Sequence, residues 1–149
     1  MFERYSNRAR RTVSFGRHEA AQVGSQYVCP EHLLLALVRE DRSLFAGIIP
    51  AKSSSDFDEF LRVRRDELTT HRPPLSTSAD LPLSRESKRI LEMTSEEADS
   101  RNSKVIDTVH ILLAMLSVNE SLAKSWLEGL GITYAVVDSW LSEGDSRSN

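Results

Sequence analysis

The sequence predicts an all-α fold made of two copies of one helical unit. When the chain is aligned with itself at an offset of 78 positions, residues 5–49 match residues 83–127 without a gap, with eleven identities in 45 positions. In each copy apolar residues recur every three or four positions, which is the spacing of one helix face. A nearly continuous apolar run follows, as in a short buried helix. The period exceeds that of solenoid repeats, so we infer a duplicated lobe.

The first helix of each repeat is predicted at 7–23 and 84–100. Ser6 is a natural N-cap for the first of these helices, and Ser84 occupies the matching position in the second repeat. Gly24 suits the left-handed residue that closes a helix, and Asn102, its counterpart, also tolerates that geometry.

The second helices, at 31–40 and 109–118, are apolar almost all round, which predicts that they form the core. Pro30 fits the first turn, where its missing N–H costs nothing, and Asp107 or Thr108 can cap the matching helix. About three turns of helix are too short to span a membrane.

Shorter helices are predicted at 43–49 and 121–130, and a fourth pair completes each repeat. Asp56 and Glu59 resemble a capping box for the first of this pair, and Thr133 can cap a helix at 134–141. The chain is therefore divided into repeat 1 (2–69), an exposed Pro/Ser/Thr-rich linker (70–82), repeat 2 (83–141) and a polar, frayed tail (142–149).

Composition narrows the functional classes. The net charge of −3 argues against a general nucleic-acid binder, because phosphate neutralisation supplies most non-specific affinity. No apolar run is long enough to cross a bilayer, and the N-terminus lacks the apolar stretch of a signal peptide. A single cysteine, Cys29, agrees with a reducing compartment. We therefore expect a cytoplasmic protein without nucleic-acid or membrane partners.

The apolar segment Pro30–Glu40, which reads PEHLLLALVRE, and its diverged copy at 108–114, TVHILLA, form a distinctive combination. It resembles the N-terminal domain of Clp AAA+ unfoldases, most closely the ClpC and ClpA type, over roughly residues 2–141. The resemblance implies a pseudo-twofold pair of four-helix repeats without catalytic activity or cofactor. It also implies a docking platform for substrates and adaptor proteins of an ATP-dependent chaperone or protease.

The resemblance further implies a phosphoarginine site in each repeat, formed by a carboxylate at the start of the second helix and a hydroxyl capping the first. Ser6 and Glu31 match these positions in the first repeat. In the second repeat Ser84 retains the hydroxyl, but Val109 replaces the carboxylate. We therefore expect a ligand site at Ser6 and Glu31 and no working counterpart at Ser84 and Val109.

Three readings of the function stay open at this stage. The leading one is recognition of substrates or adaptors for a Clp unfoldase, with the chain either a fragment of a longer protein or a free-standing domain, because no phosphate-binding G-x-x-x-x-G-K-[ST] motif is present. A free-standing domain would instead act as a regulator that competes for adaptors or binds the unfoldase itself. The remotest reading is a hydrolase using Cys29 and His32.

Several remaining residues have a structural interpretation that we weigh above a functional one. His32 and His110 match each other in the two repeats and are expected to satisfy backbone groups at helix starts. Trp126 and Trp140 are expected to complete the core of the second lobe, unless they are exposed as a docking patch. A basic run is expected to be a solvated face, with an acidic partner as the alternative: Arg4, Arg8, Arg10, Arg11 and Arg17.

Overall fold

The computed structural model describes residues 2–69, 72–75, 80–118 and 120–147, which form eight α-helices. The first repeat contains α1 (Asn7–Gln22), α2 (Pro30–Glu40), α3 (Arg42–Ile48) and α4 (Ser54–Leu68). The second contains α5 (Arg85–Ser100), α6 (Thr108–Ser117), α7 (Leu122–Gly129) and α8 (Tyr134–Arg147). The predicted all-α, two-repeat architecture is confirmed.

The two apolar helices, α2 and α6, form the centre of the molecule. The side chains of residues 33–38 and 111–115 are fully buried. Each buried leucine-sized side chain contributes about 1.5–3 kcal/mol to folding. α1 packs along α2, α5 packs along α6, and α2 and α6 contact each other. At Gly16 a Cβ atom would lie 2.8 Å from Leu33 Cδ2, so glycine permits the close approach of α1 to α2.

The predicted ends of the first helices are confirmed in both repeats. The Ser6 hydroxyl accepts the Ala9 N–H at 3.1 Å, and the Ser84 hydroxyl accepts the Ser87 N–H at 3.1 Å. Gly24 has φ +73° and Asn102 has φ +57°, so both take the left-handed conformation that follows a helix.

The structure corrects two predicted boundaries. The capping box of α4 lies one turn earlier than expected, because the Ser53 hydroxyl accepts the Asp56 N–H while the Asp56 carboxylate accepts the Ser53 N–H at 2.7 Å. The predicted tail at 142–149 is helical as far as Arg147. Its polar composition predicted exposure, but exposed polar residues can extend a helix whose earlier turns are anchored by a buried Val137.

The described parts of the predicted linker lie along the first repeat. The Leu75 N–H donates to the Ala21 carbonyl at 2.9 Å, and the Val28 N–H donates to the Pro82 carbonyl at 2.9 Å. Residues 72–75 are exposed, as expected for a connecting segment. Positions 70, 71 and 76–79 of the predicted linker lie outside the described residues.

The two tryptophans of the second repeat also contact helices of the first repeat. Trp126 is 5% exposed and makes an edge-to-face contact with Phe60 of α4, with ring centroids 6.3 Å apart. Trp140 is half-buried and packs against Gly47 of α3, where an added Cβ would lie 3.0 Å from its ring. Trp126 belongs to the core and Trp140 packs against it, as expected, and both rings also contact first-repeat helices.

Candidate functional site

Two main-chain bridges connect the repeats. Tyr5 pairs with Ile106, and Val28 pairs with Leu83, each in parallel orientation. Each bridge joins the segment before one repeat's first helix to the segment before the other repeat's second helix. We call the group Cys29, Glu31, Ser84 and Glu86 the Glu31 junction, and the group Ser6, Arg8, Asp41, Asp107 and Thr108 the Asp107 junction.

The Glu31 junction contains the carboxylates of Glu31 and Glu86. Ser84 is held there because its N–H donates to the Val28 carbonyl at 3.0 Å. Glu31 is half-buried in the first turn of α2, and burial raises the pKa of its carboxyl, with a further contribution from the negative charge of Glu86. Within the described part of the chain no Lys, Arg or His pairs with Glu31 or Glu86. This arrangement favours a cationic ligand group, such as a guanidinium.

The Asp107 junction contains an arginine, Arg8, that pairs with both of its carboxylates. Arg8 donates to both oxygens of Asp107, at 2.8 Å from Nε and 2.6 Å from Nη2, and its Nη1 lies 3.3 Å from Asp41 Oδ2. The Arg8 guanidinium holds the pKa of the Asp107 carboxyl well below its usual range.

Two hydroxyls complete the Asp107 junction. Ser6 Oγ donates to Asp107 Oδ1 at 2.8 Å, and Thr108 Oγ1 donates to Asp41 Oδ2 at 2.6 Å. The Asp41 side chain is 4% exposed and also accepts the Leu44 N–H at the start of α3. One arginine thus occupies this junction, so we interpret it as an internal clamp between the repeats.

The structure places Ser6 and Glu31 at different junctions. The bridges exchange partners between the repeats, so Ser6 lies beside Asp107 of the second repeat and Ser84 lies beside the Glu31 segment of the first. Val109 lies in the first turn of α6 at the Asp107 junction, where Asp41 and Asp107 supply the carboxylates. Sequence reasoning also missed Arg8 and Glu86. At the offset of 78 positions Arg8 aligns with Glu86, so the charge at this position is opposite in the two repeats. That difference in the sequence could have indicated that the two junctions are not equivalent.

The two matched histidines cap helices, as expected. His32 Nδ1 accepts the Cys29 N–H at 2.9 Å, and His110 Nδ1 accepts the Asp107 N–H at 2.9 Å. Burial lowers the pKa of His32 to about 4 and also lowers the pKa of His110. Both imidazoles are consequently neutral near pH 7 and serve as acceptors.

The geometry gives no support to a Cys29 nucleophile. His32 Nδ1 accepts from the backbone N–H of Cys29, and burial together with the Glu31 charge raises the pKa of the thiol to about 11. Cys29, Glu31 and His32 place ligand-type atoms within 4.8 Å of one another. Of the two His32 nitrogens, Nδ1 is already engaged in helix capping.

A groove of about 400 Å³ adjoins the Glu31 junction. Pro30, Met93 and Val118 contribute its apolar surface, and Arg85, Glu86 and Arg89 are among its charged rim residues. A surface that combines apolar contacts with both signs of charge is suited to an extended peptide.

The N-terminal basic run makes internal contacts. Arg4 pairs with Asp99 at 2.8 Å, and Arg11 pairs with Glu40 at 2.7 Å. Arg10 donates to the carbonyls of Phe2 and Glu3, and Arg17 donates to the carbonyl of Leu81. With Arg8 in the internal clamp, these contacts favour the structural interpretation over a docking surface.

Comparison with protein families identifies one match over nearly the whole chain. The family described as the Clp repeat (R) N-terminal domain matches residues 4–130 and, in a second match, residues 91–143. The overlapping matches agree with the internal duplication.

Similar proteins include the chaperone ClpD2 of rice chloroplasts and a probable ATP-dependent Clp protease ATP-binding subunit of Chlamydia pneumoniae. The chain is 31% identical to the rice protein over 132 residues, which cover 89% of this chain and 14% of that protein. It is 29% identical to the Chlamydia protein, covering 89% of this chain and 15% of that protein. The chain thus spans about one seventh of the length of these relatives.

Solved structures show the same fold. The N-terminal domain of ClpD from Arabidopsis thaliana matches with a TM-score of 0.74 and 26% identity, covering 97% of each chain. The N-terminal domain of Hsp104 from Candida albicans matches with a TM-score of 0.70 and 18% identity, covering 93% of this chain and 89% of that one. None of the helices in the described residues is long and apolar enough to span a bilayer.

Proposed function

We propose, because the chain belongs to the Clp repeat N-terminal domain family, that it is a non-catalytic protein-binding domain. Its role is to recognise substrate polypeptides or adaptor proteins for an ATP-dependent Clp chaperone or protease. The relatives carry ATP-binding or chaperone functions in their names, and the chain corresponds to about one seventh of their length. The cytoplasmic location stays a prediction from the sequence, with which the single Cys29 agrees.

The ligand site of this proposal is the Glu31 junction, built from both repeats. It is supported by one observation: Glu31 is half-buried near the exposed Glu86, and the described residues form no ion pair with either carboxylate, whereas Arg8 pairs with Asp107 at the equivalent junction. A guanidinium of a bound polypeptide would supply the missing charge. If that guanidinium is phosphorylated, the N-terminus of α5 beside Ser84 offers N–H groups to the phosphate.

The experiment is a titration of the protein with phosphoarginine, followed by isothermal calorimetry and by amide chemical shifts. Glu31→Gln keeps the size of the side chain and removes its charge, so Kd should rise at least about tenfold. Glu96→Gln is the matched control, because Glu96 is an exposed residue of α5 outside the junction. Equal affinity in Glu31→Gln and the control would refute the site.

Titrations with L-arginine and with inorganic phosphate separate the two halves of the ligand. Arginine should shift the amides at the start of α2, and phosphate should shift those at the start of α5. If phosphate shifts these amides in the wild type and in Glu31→Gln while arginine shifts none, recognition of a guanidinium is excluded.

The cellular role is tested in an ATP-dependent Clp degradation assay with a substrate whose delivery needs an adaptor. Adding the purified domain should slow degradation, because it binds the substrate or the adaptor away from the unfoldase. Glu31→Gln should inhibit less than Glu96→Gln. If raising the adaptor concentration restores the rate, the domain competes for the adaptor, which is the regulatory alternative.

A further inference from the structure

A second cleft, of about 540 Å³, lies within the first repeat and shares no lining residue with either junction. It is bounded by the second half of α1, the last turn of α2, the start of α3, and α4. Leu61 and Val23 contribute apolar surface to the cleft. Its distinguishing feature is the convergence of three arginines: Arg39, Arg42 and Arg65.

Two of these arginines are held in place by carboxylates. Arg65 donates to both oxygens of Glu19, at 3.0 Å from Nε to Oε2 and 2.6 Å from Nη2 to Oε1. Glu19 has a side-chain exposure of only 4%, so this pair fixes the Arg65 head at the wall of the cleft. Arg42 pairs with Asp58 and donates to the Ser54 hydroxyl at 2.9 Å.

The third arginine has no carboxylate partner among the described residues. The Arg39 guanidinium carbon lies 4.2 Å from the centroid of the Phe15 ring, which is a cation–π contact. Stacking restrains the guanidinium plane and leaves its edge, which carries the N–H donors, free to bind. Three cations and two carboxylates, Glu19 and Asp58, give the cleft one uncompensated positive charge that is oriented before binding.

We propose that this cleft binds carboxylate side chains of an acidic polypeptide segment, and the proposal is independent of the function assigned to the Glu31 junction. The planar fork of Arg39 matches a carboxylate, and the apolar surface of Leu61 can contact the methylene groups of a glutamate.

A carboxylate fits this cleft better than a phosphate or a nucleic acid does. The cleft adjoins the C-terminal ends of α1, α2 and α4 and the N-terminal end of α3, so the partial negative charges outnumber the positive one and disfavour a dianion more than a monoanion. Nucleic acid is disfavoured because Arg39 already covers the Phe15 ring, which removes a face on which a base could stack.

The test is a chemical-shift titration of the protein at low ionic strength with a capped five-glutamate peptide. We expect saturable shifts centred on His18, Gln22 and Thr69, which line the cleft, and an affinity that falls as salt is added. A capped five-glutamine peptide should give no such shifts. Equal binding of the two peptides, or tighter binding of inorganic phosphate or single-stranded DNA at the same residues, would overturn the proposal.

Arg39→Gln should raise the Kd of the protein for the glutamate peptide at least about fivefold. Arg62→Gln is the matched control, since Arg62 is exposed on α4, pairs with Glu59 and lies outside the cleft. It removes the same charge and should change Kd less than about twofold. Arg39→Lys keeps the charge without the planar fork, so its affinity should fall between the wild type and Arg39→Gln. Equal loss in Arg39→Gln and Arg62→Gln would mean that only net charge matters, and would refute the cleft.

Discussion

The Glu31 and Asp107 junctions occupy matching positions in a duplicated fold, yet they differ in charge balance. At the Asp107 junction Arg8 binds both carboxylate oxygens of Asp107 and lies 3.3 Å from Asp41. At the Glu31 junction Arg8 is replaced by Glu86 and Asp107 by Cys29. The two backbone bridges are equivalent, yet a closed ion pair lies beside one of them and an open acidic site lies beside the other.

This difference shows how a duplicated fold can separate stability from binding. The backbone bridges and the histidine caps are common to both junctions, so the architecture does not depend on which charges surround them. One junction then carries an internal ion pair, while at the other the described residues form no ion pair with the carboxylates. We infer that selection for the fold left the side chains around each bridge free to diverge.

Removing the clamp should produce the largest effect on stability. Asp41→Ala removes the acceptor of the Leu44 N–H and the nearer acceptor of Thr108 Oγ1, and it leaves Arg8 with one carboxylate fewer. The free energy of unfolding should fall by about 3 kcal/mol, as measured by urea denaturation at pH 7. Asp66→Ala, an exposed position on α4, should change it by less than about 0.5 kcal/mol. A loss below about 1 kcal/mol for Asp41→Ala would mean that the clamp is not a stabilising contact.

The histidine caps test what the two junctions share. Unfolded His32 takes up a proton as the pH falls through about 6.5, whereas the folded residue remains neutral until about pH 4. The unfolded state therefore binds more protons between these values, and stability falls as the pH falls through this window. Protonation of unfolded His32 should lower the free energy of unfolding by about 2 kcal/mol at pH 5 relative to pH 7 or above.

His32→Gln is the corresponding variant, because glutamine at this position keeps an acceptor for the capping box but does not titrate. Urea denaturation between pH 7 and pH 5 should show a shallower loss of stability than in the wild type. The exposed His18, changed to Gln, should leave the profile unchanged. An unchanged profile in His32→Gln would show that its protonation is not linked to folding.

The repeats and their helices were predictable because they depend on local patterns. Apolar spacing, the Ser6 and Ser84 caps and the Gly24 and Asn102 closures all act within a few residues. The exchange of partners at the junctions was not predictable in this way, since the Ser6–Asp107 hydrogen bond joins residues 101 positions apart. Internal repetition indicates which residues are equivalent, but it does not indicate whether equivalent pairs form within a repeat or between repeats.

Converting one junction into the other is a direct test of their difference. Glu86→Arg places at the Glu31 junction the residue that closes the Asp107 junction, where the new guanidinium can pair with Glu31. Binding of N-acetyl-arginine amide, followed by amide chemical shifts, should weaken at least about tenfold, which is about 1.4 kcal/mol. Glu96→Arg makes the same charge change on an exposed part of α5 and should weaken it less than about threefold. Undiminished binding in Glu86→Arg would show that the open acidic site is not what receives the ligand.

The smallest effect on stability is expected at the residues that follow the C-terminal ends of α1 and α5. Both Gly24 and Asn102 have positive φ, so alanine at either position incurs the left-handed penalty of about 1 kcal/mol. At Gly24 the added Cβ would also lie 3.0 Å from the carbonyl oxygens of Arg72 and Pro73, which are backbone atoms that cannot rotate away. Gly24→Ala should therefore cost more than Asn102→Ala in urea denaturation, and Asn102→Gly should change stability by no more than a few tenths of a kcal/mol. Equal costs for the two alanine variants would mean that the segment at 72–75 moves aside without loss, and that its contact with the first repeat contributes little to folding.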